Sequence, residues 1–252
     1  MHTHLNDYNI NVKEHFKVVG ITKGIIKTVE LSSGEKIDTK TIIIATGARW
    51  RELNVPGEKE NLGNGVAYCP HCDGPFFRNK DVAVVGGGNS GIEAALDLAG
   101  IVKKVTVLEF MPDLKADKIL IDKAEAKDNI EIIKNAQVER VVSVQGKVTG
   151  LDYLDRNTTN QKTLDLDGIF VQIGLVPNSQ FLVDVVELTS HGEIVVNENG
   201  ETSEKGIYAC GDVTTVPYKQ IIISMGEGAK TALSVADLSL IHISEPTRQS
   251  LI

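Results

Sequence analysis

Two cysteines separated by two residues stand in the stretch Tyr68-Cys69-Pro70-His71-Cys72-Asp73-Gly74. A C-x-x-C pair can close a small disulfide ring and reopen it under mild reduction, because the spacing depresses one thiol pKa and supplies a resolving partner. Pro70 stiffens that ring. The same two residues also read as buried structural thiols, and Asp73 reads evenly as a turn residue or as a proton donor and acceptor for the dithiol. Zinc would need four ligands, and neither a second C-x-x-C nor a paired histidine motif is present. His2, His4, His15, His191 and His242 are scattered. Cys210 lies in an apolar run without a partner and reads as a structural core residue.

A second motif opens fourteen residues after Cys72, with Gly86-Gly87-Gly88-Asn89-Ser90-Gly91. It follows the apolar run Asp81-Val82-Ala83-Val84-Val85 and precedes Ile92, Ala95, Leu96 and Ala99 at helical spacing. In a G-x-G-x-x-G turn between strand and helix, Gly86 permits the tight turn and Gly88 lets the backbone approach a pyrophosphate. Gly91 lets helix pack on strand, and the positive helix N-terminus, opened by Asn89 and Ser90, faces the phosphates. Glu109 ends the next strand, 23 residues after Gly86, close to the roughly 20 expected of a carboxylate on the ribose diol. A carboxylate there repels a 2′-phosphate, so NADH is favoured over NADPH, with Lys115 the one nearby cation that tempers this. A redox pair just ahead of a nucleotide site describes an electron path from nicotinamide to dithiol.

The elements that must position these residues follow from periodicity. Phe16–Val19 and Gly24–Leu31 alternate as strands around the turn Ser32–Glu35, and Thr41–Ala45 is a continuous apolar run of the kind found in a buried parallel strand. Nothing upstream supplies the parallel neighbour that such a strand needs. Asn54–Glu58 and Gly63–Gly65 read as a linker. Asp81–Val85, the helix after Gly91, Val105–Glu109, a helix over Ala116–Lys127 and Ile130–Ile133 make βαβαβ, the mononucleotide half of a doubly wound fold. Val138–Val144, Lys147–Leu154 and Lys162–Leu166 alternate as an inserted meander before Gly168–Gly174 returns to the sheet. Val176-Pro177-Asn178 marks a second crossing, Glu193–Val196 is a predicted strand, Gly206–Cys210 a short buried one, and Gln220–Ala236 a final helix. The class is α/β, with two half-units flanking one complete unit. Trp50, between Arg49 and Arg51, reads as a hinge or packing anchor.

Composition excludes several roles. The chain has 252 residues, 42% hydrophobic and 24% charged, with a formal net charge of -8, which argues against a nucleic-acid partner. No apolar run is long enough to span a bilayer, and the start carries no secretory signal pattern. Three cysteines do not make a disulfide framework, so the cytoplasm is the expected compartment. Residues 238–252 read as an adapter-derived tail and are set apart from the fold.

Taken in order, Ala45-Thr46-Gly47, the Cys69–Cys72 loop, Gly86–Gly91 and Gly206–Asp212 resemble the thioredoxin reductase class of flavoproteins, within the class II pyridine nucleotide-disulfide oxidoreductases. The stretch Ala45–Arg51 with Val55-Pro56-Gly57 is similar in detail to the family of flavoprotein F subunits of alkyl hydroperoxide reductases. So are CPHCDGP from Cys69, the LEF ending in Phe110, and Thr215–Gln220. The resemblance runs from about His4 to Asp237. It implies two Rossmann-like dinucleotide-binding domains: a FAD domain over 1–57 and 177–237, interrupted by an NAD domain over 58–176. It further implies that Cys69 and Cys72 are the redox disulfide and Asp73 its acid–base residue. Thr46, Gly47, Gly211 and Asp212 would lie at FAD, with Lys219-Gln220-Ile221 beneath the flavin ring and Ile173-Gly174 at the nucleotide. Electrons would pass from NADH to FAD to the disulfide, with Asn54–Gly57 and Val176–Asn178 as hinges between rotating domains, in a homodimer serving a peroxiredoxin or, as a rival, thioredoxin. The family's first FAD segment, expected before His4, and its thioredoxin-like domains have no counterpart in the sequence. The chain is therefore expected to be a fragment, and a non-catalytic nucleotide-binding piece is the competing expectation.

Overall fold

The computed structural model describes residues 7–8 and 10–243. The chain divides into two units of equal length: Met1–Arg49 with Val176–Ile252, and the continuous stretch Trp50–Leu175. The first crossing thus lies eight residues ahead of the 57/58 boundary expected from sequence, and the second at 175/176 instead of 176/177. The reason is local. Leu53 and Asn54 donate their amides to the Glu58 carboxylate at 2.9 and 2.7 Å, and Arg51 donates its amide to the Gly174 carbonyl. These bonds hold the Asn54–Gly57 turn inside the second unit.

The first unit opens with an antiparallel meander of β1 (Val18–Thr22), β2 (Lys27–Leu31) and β3 (Lys36–Thr39). β4 (Ile42–Ile44) follows, and β5 (Ala48–Trp50) carries the crossing. The second unit runs through β6 (Val66–Ala67), the single helical turn α1 (Pro70–Asp73), β7 (Asp81–Val85), α2 (Asn89–Ala99), β8 (Lys104–Leu108), α3 (Lys118–Glu125) and β9 (Ile130–Ile133). The long hairpins β10 (Ala136–Val144), β11 (Lys147–Asp155) and β12 (Asn160–Asp165) form the inserted meander, and β13 (Gly168–Val171) closes the unit. β14 (Leu175–Pro177) is the return crossing, followed by β15 (Ile207–Ala209) and α4 (Ile221–Ile243). The helix α4 therefore enters the segment set apart as a tail; residues 244–252 of that segment lie outside the described residues.

In the second unit five parallel strands lie in the order β6-β13-β7-β8-β9. Alternation along β7 sends Val82 and Val84 to the helical face and Ala83 and Val85 to the meander face. All four are buried, and each valine so placed contributes about 1.5–3 kcal/mol. On the helical face Ile92, Ala95 and Leu98 of α2 join them; on the other, Val141, Val148, Leu151 and Tyr153 of the meander do.

In the first unit β4 finds its parallel neighbour downstream, in β15, with Ile42 opposite Ile207 and Ile44 opposite Ala209. A smaller core of Ile44, Leu182, Val186, Ile194, Ile207, Ala209 and Val213 lies there. The strand expected over Glu193–Val196 does not form. Only Ile194 makes ladder bridges, to Leu188 and Thr214, through the bonds Val195 to Glu187 and Ile194 to Val213; the pairing stops there because the Asn197 side chain caps the following turn. The helix expected from Ala116 starts at Lys118 for a similar reason. The Asp117 amide donates to Asn89 Oδ1 at 2.7 Å and its carboxylate accepts from Asn89 Nδ2 at 3.0 Å.

Candidate functional site

Strand register brings the two sequence motifs to one edge of the parallel sheet. Phe170 of β13 sits opposite Ala67 of β6, and Val171 opposite Val85 of β7. Tyr68 and Gly86 therefore both leave the carboxyl ends of strands flanking β13, two ladder steps or about 10 Å apart. Crevices at strand carboxyl ends are where ligands bind in open α/β sheets.

Cys69 and Cys72 are joined in a disulfide, with Cα atoms 5.2 Å apart. They are not buried thiols: Cys69 is half-buried and Cys72 exposed. Cys69 is the N-cap of α1, its Sγ accepting from the Cys72 amide at 3.2 Å, and Pro70 occupies the first helical position, where a missing N–H costs nothing. Asp73 closes this turn by donating its amide to the Cys69 carbonyl. Its half-buried carboxylate accepts from no described residue. Gly74 then packs under Leu98 so closely that an added Cβ would sit 3.0 Å from it, and His71 Nδ1 lies 3.7 Å from Asp97. The disulfide turn is thereby applied to the last turn of α2, and the glycine-rich turn sits at the first. Beyond it, Phe76 is exposed.

The residue before the pair is anchored at three points. The Tyr68 hydroxyl donates to Glu58 at 2.9 Å, its ring stacks on Trp50 at 6.1 Å, and its carbonyl accepts from Gln172 Nε2 at 2.7 Å. Glu58 is 1% exposed. Burial, then the hydrogen bond to Glu58, pushes the Tyr68 phenol well above its ordinary range. Trp50 is accordingly a packing partner of Tyr68.

In the glycine-rich turn, contact explains most of the glycines. Gly86 has φ 123°, and a Cβ there or on Gly91 would overlap a carbonyl oxygen, of Gln172 and of Gly86 respectively. A Cβ on Gly88, by contrast, would meet nothing within 4 Å. That open space at a helix N-terminus, where amides point outward, fits a diphosphate. Asn89 is spent on Asp117 and Ser90 is exposed. Gly87, a free position in the motif, is constrained as Gly86 and Gly91 are: its Cβ would come within 2.7 Å of Glu109 Oε2.

Glu109 is bound into this turn. Its Oε2 accepts from the Gly87 amide at 2.6 Å and its Oε1 from the Met111 amide at 2.8 Å. Each oxygen keeps a lone pair for a ribose hydroxyl. The loop behind it is gripped by Arg156 of the meander, whose guanidinium donates to the Phe110 carbonyl at 2.7 Å and lies 3.9 Å over the Phe110 ring. Ile173 packs on the meander-side core and Gly174 accepts from Arg51.

The remaining candidates belong to the first unit, at the ends of β4 and β15, where the Cys210 amide donates to Ile44. Thr46 and Asn178 exchange side chain-to-carbonyl bonds at 2.8 and 2.9 Å, and a Cβ on Gly47 would meet nothing within 4 Å. Gly211, at φ 75°, turns the chain so that Asp212 Oδ1 accepts from Ser224 in the first turn of α4 at 2.9 Å. The other carboxylate oxygen accepts from no described residue, which suits a polyol chain. Lys219 is held by the Thr214 carbonyl and by Glu193 at 2.9 Å. The Gln220 carbonyl accepts from the Ser224 amide, and Ile221 opens α4 with its side chain exposed. Among the described residues of this unit no parallel strand passes through a glycine-rich turn into a helix. Sequence spacing gave no sign of Glu58, Gln172, Arg156 or Ser224, each of which acts on a residue that it did single out.

Residues 2–231 match the family model described as pyridine nucleotide-disulphide oxidoreductase. The chain belongs to this family. Among its relatives is the F subunit of alkyl hydroperoxide reductase from Pseudomonas putida, 51% identical over 246 residues, which is 96% of this chain and 47% of that protein. A second relative, a Bacillus subtilis protein named NADH dehydrogenase, is 51% identical over 93% of this chain and 46% of its own length. The chain thus spans about half the length of the curated relatives it matches. Thioredoxin reductase from Streptococcus pyogenes superposes with a TM-score of 0.85 at 35% identity, covering 90% of this chain and 74% of that one. No helix among the described residues is long and apolar enough to cross a membrane.

Proposed function

We propose that the chain is the NADH-binding and disulfide-bearing part of a flavin disulfide reductase, whose electrons leave Cys69–Cys72 for a peroxiredoxin system. One observation carries the reading: a half-exposed disulfide turn and a glycine-rich turn with open space over Gly88 leave the same sheet edge. Relatives named as F subunits of alkyl hydroperoxide reductase support the peroxiredoxin acceptor.

Each residue has a role in this reading. Gly88 and the amides at the head of α2 hold the pyrophosphate, and Glu109, steadied by Gly87 and Met111, accepts from the ribose hydroxyls. Its negative charge disfavours the 2′-phosphate of NADPH. Asp212, steadied by Ser224, with Thr46, Gly47, Gly211 and Lys219-Gln220-Ile221, would line the FAD side of the first unit. FAD, when bound, relays two electrons from NADH to a disulfide. The Cys69–Cys72 pair, opened to the dithiol, hands its electrons to the acceptor by thiol–disulfide exchange. The unengaged Asp73 carboxylate takes and returns the thiol proton. Ile173 and Gly174 border the nucleotide. A cytoplasmic homodimer is the setting that goes with an NADH-dependent reductase of this kind.

A second reading has its own support. The relative named NADH dehydrogenase matches as well as the F subunits do, so the acceptor can differ while the nucleotide chemistry stays. A non-catalytic nucleotide-binding fragment is the third, resting on the second unit, which carries its own five-stranded parallel sheet and glycine-rich turn. The deciding experiment is the visible spectrum of the chain after incubation with FAD and gel filtration, with NADH consumption against a disulfide acceptor for wild type and Cys72→Ser. A stoichiometric flavin band with turnover lost in Cys72→Ser is expected. Turnover surviving Cys72→Ser overturns the disulfide assignment, and NADH binding without a flavin band leaves the fragment reading in place.

A further inference from the structure

Glu58 is a glutamate inside the second unit, 1% exposed, and every hydrogen bond it makes is as an acceptor. Its Oε1 takes the Leu53 amide and the Tyr68 hydroxyl, both at 2.9 Å, and its Oε2 the Asn54 amide at 2.7 Å. A buried carboxylate is retained only where its lone pairs are filled. Here the filling donors are two amides just inside the first chain crossing and the phenol of the residue that precedes Cys69. Gln172, 7% exposed, takes hold of the same residue from the other side. Its own carbonyl oxygen is what a Cβ on Gly86 would strike.

We infer that Tyr68 is a positioning residue for the redox pair, mounted on Glu58 and Gln172 so that the Cys69 sulfur is held within bonding reach of Cys72. The inference rests on the proposed role of the disulfide and concerns how that disulfide is poised. The two sulfurs are mounted separately. Cys72 rides on α1, which Gly74 presses against Leu98 of α2; Cys69 follows directly from Tyr68. Closing the ring sets one thiol against the other at an effective concentration determined by how little the two mounts move. Loosening the Tyr68 mount lowers that concentration and favours the dithiol. The raised Tyr68 phenol stays protonated throughout the range in which thiols exchange, so its donation to Glu58 persists there.

The test needs neither flavin nor nucleotide. The whole chain is equilibrated in glutathione buffers, where one protein disulfide and two glutathione thiols yield the protein dithiol and one glutathione disulfide. The dithiol fraction is read by alkylation and mass. Tyr68→Phe, which removes only the hydroxyl, is expected to shift the equilibrium toward the dithiol by about three- to tenfold, the net worth of one hydrogen bond. Glu58→Gln is expected to shift it in the same direction. Val107→Ala, which trims the buried core of β8, is the control: its Tm falls while the exchange constant stays. Should Glu58→Gln fail to fold, Tyr68→Phe alone decides. An exchange constant within twofold of wild type in Tyr68→Phe, with or without a lowered Tm, overturns the inference. A wild-type disulfide that dithiothreitol cannot open overturns the redox reading itself, a separate outcome.

Discussion

The two turns proposed to meet cofactors, Gly86–Gly91 in the second unit and Gly211–Asp212 in the first, are built differently. The former rests on five parallel strands with helices on one face and a meander on the other, and Gly86, Gly87 and Gly91 are fixed by contact with Gln172, Glu109 and one another. The latter rests on two parallel strands, β4 and β15, and its one glycine, at φ 75°, would bring a Cβ no nearer than 3.3 Å to Ser224, a far looser fit than at Gly86 or Gly91. The first unit also leaves Ile43, Ile221, Ile222 and Leu233 exposed. A turn fixed by packing can be read from its contacts, whereas the Gly211–Asp212 turn is visible through single residues.

Substitutions can break this contrast. The largest effect is expected at Gly91. Gly91→Val must drive side-chain atoms into the Gly86 carbonyl, so NADH affinity should fall at least about 100-fold with a marked loss of Tm, since overpacking of this kind costs a few kcal/mol. Gly88→Ala sharpens the point. Its Cβ meets no protein atom, so the Tm should hold while NADH affinity, by calorimetry, drops about tenfold or more through a clash with ligand alone. Asp212→Ala should weaken FAD retention about tenfold, the loss of one charge-assisted bond, and leave the NADH dissociation constant as it was. If it moved both, the two sites would not be separable.

A smaller effect is expected at Arg156→Met. It removes the grip on the Phe110 carbonyl and the cation over its ring, and should weaken NADH binding about three- to tenfold by loosening Glu109. Lysine should not restore it, because the planar fork is lost. Smallest is a slope with pH. The Tyr68 phenol is raised in the folded chain, so above the unfolded value of about 10 the unfolded state releases a proton that the folded state keeps. That contribution is complete below pH 10 and is lost as pH rises past it. Urea denaturation between pH 9 and 11 should show wild-type stability declining and Tyr68→Phe declining less. Tyr208, also raised by burial, accounts for part of what remains.

What was legible in the sequence had a local signature. β7, the glycine turn and α2 follow one another directly, with β8 starting just five residues after α2 ends, and their apolar periods and glycine spacing are set by neighbours within a few residues. The C-x-x-C turn is legible for the same reason. What was not legible acts across long separations: Gln172 reaches Tyr68 over 104 residues and Arg156 reaches Phe110 over 46. A buried glutamate has no periodic mark either, since Glu58 lies in a turn that reads as a linker. Glu193–Val196 shows the reverse error, an apolar stretch whose ladder is a single residue long, at Ile194, before the Asn197 turn ends it.

The bond between Glu109 and the Gly87 amide has a consequence for how such a chain can change its donor. The carboxylate proposed to choose between NADH and NADPH is also a structural member of the phosphate-binding turn, wedged where Gly87 has no room for a side chain. Exchanging it for arginine would not simply reverse a charge. It would strip the turn of an internal brace and push a longer side chain into the same space. Coenzyme preference is therefore not a detachable trait of one position here: a route to the other coenzyme has to rebuild the loop before it can reverse the charge.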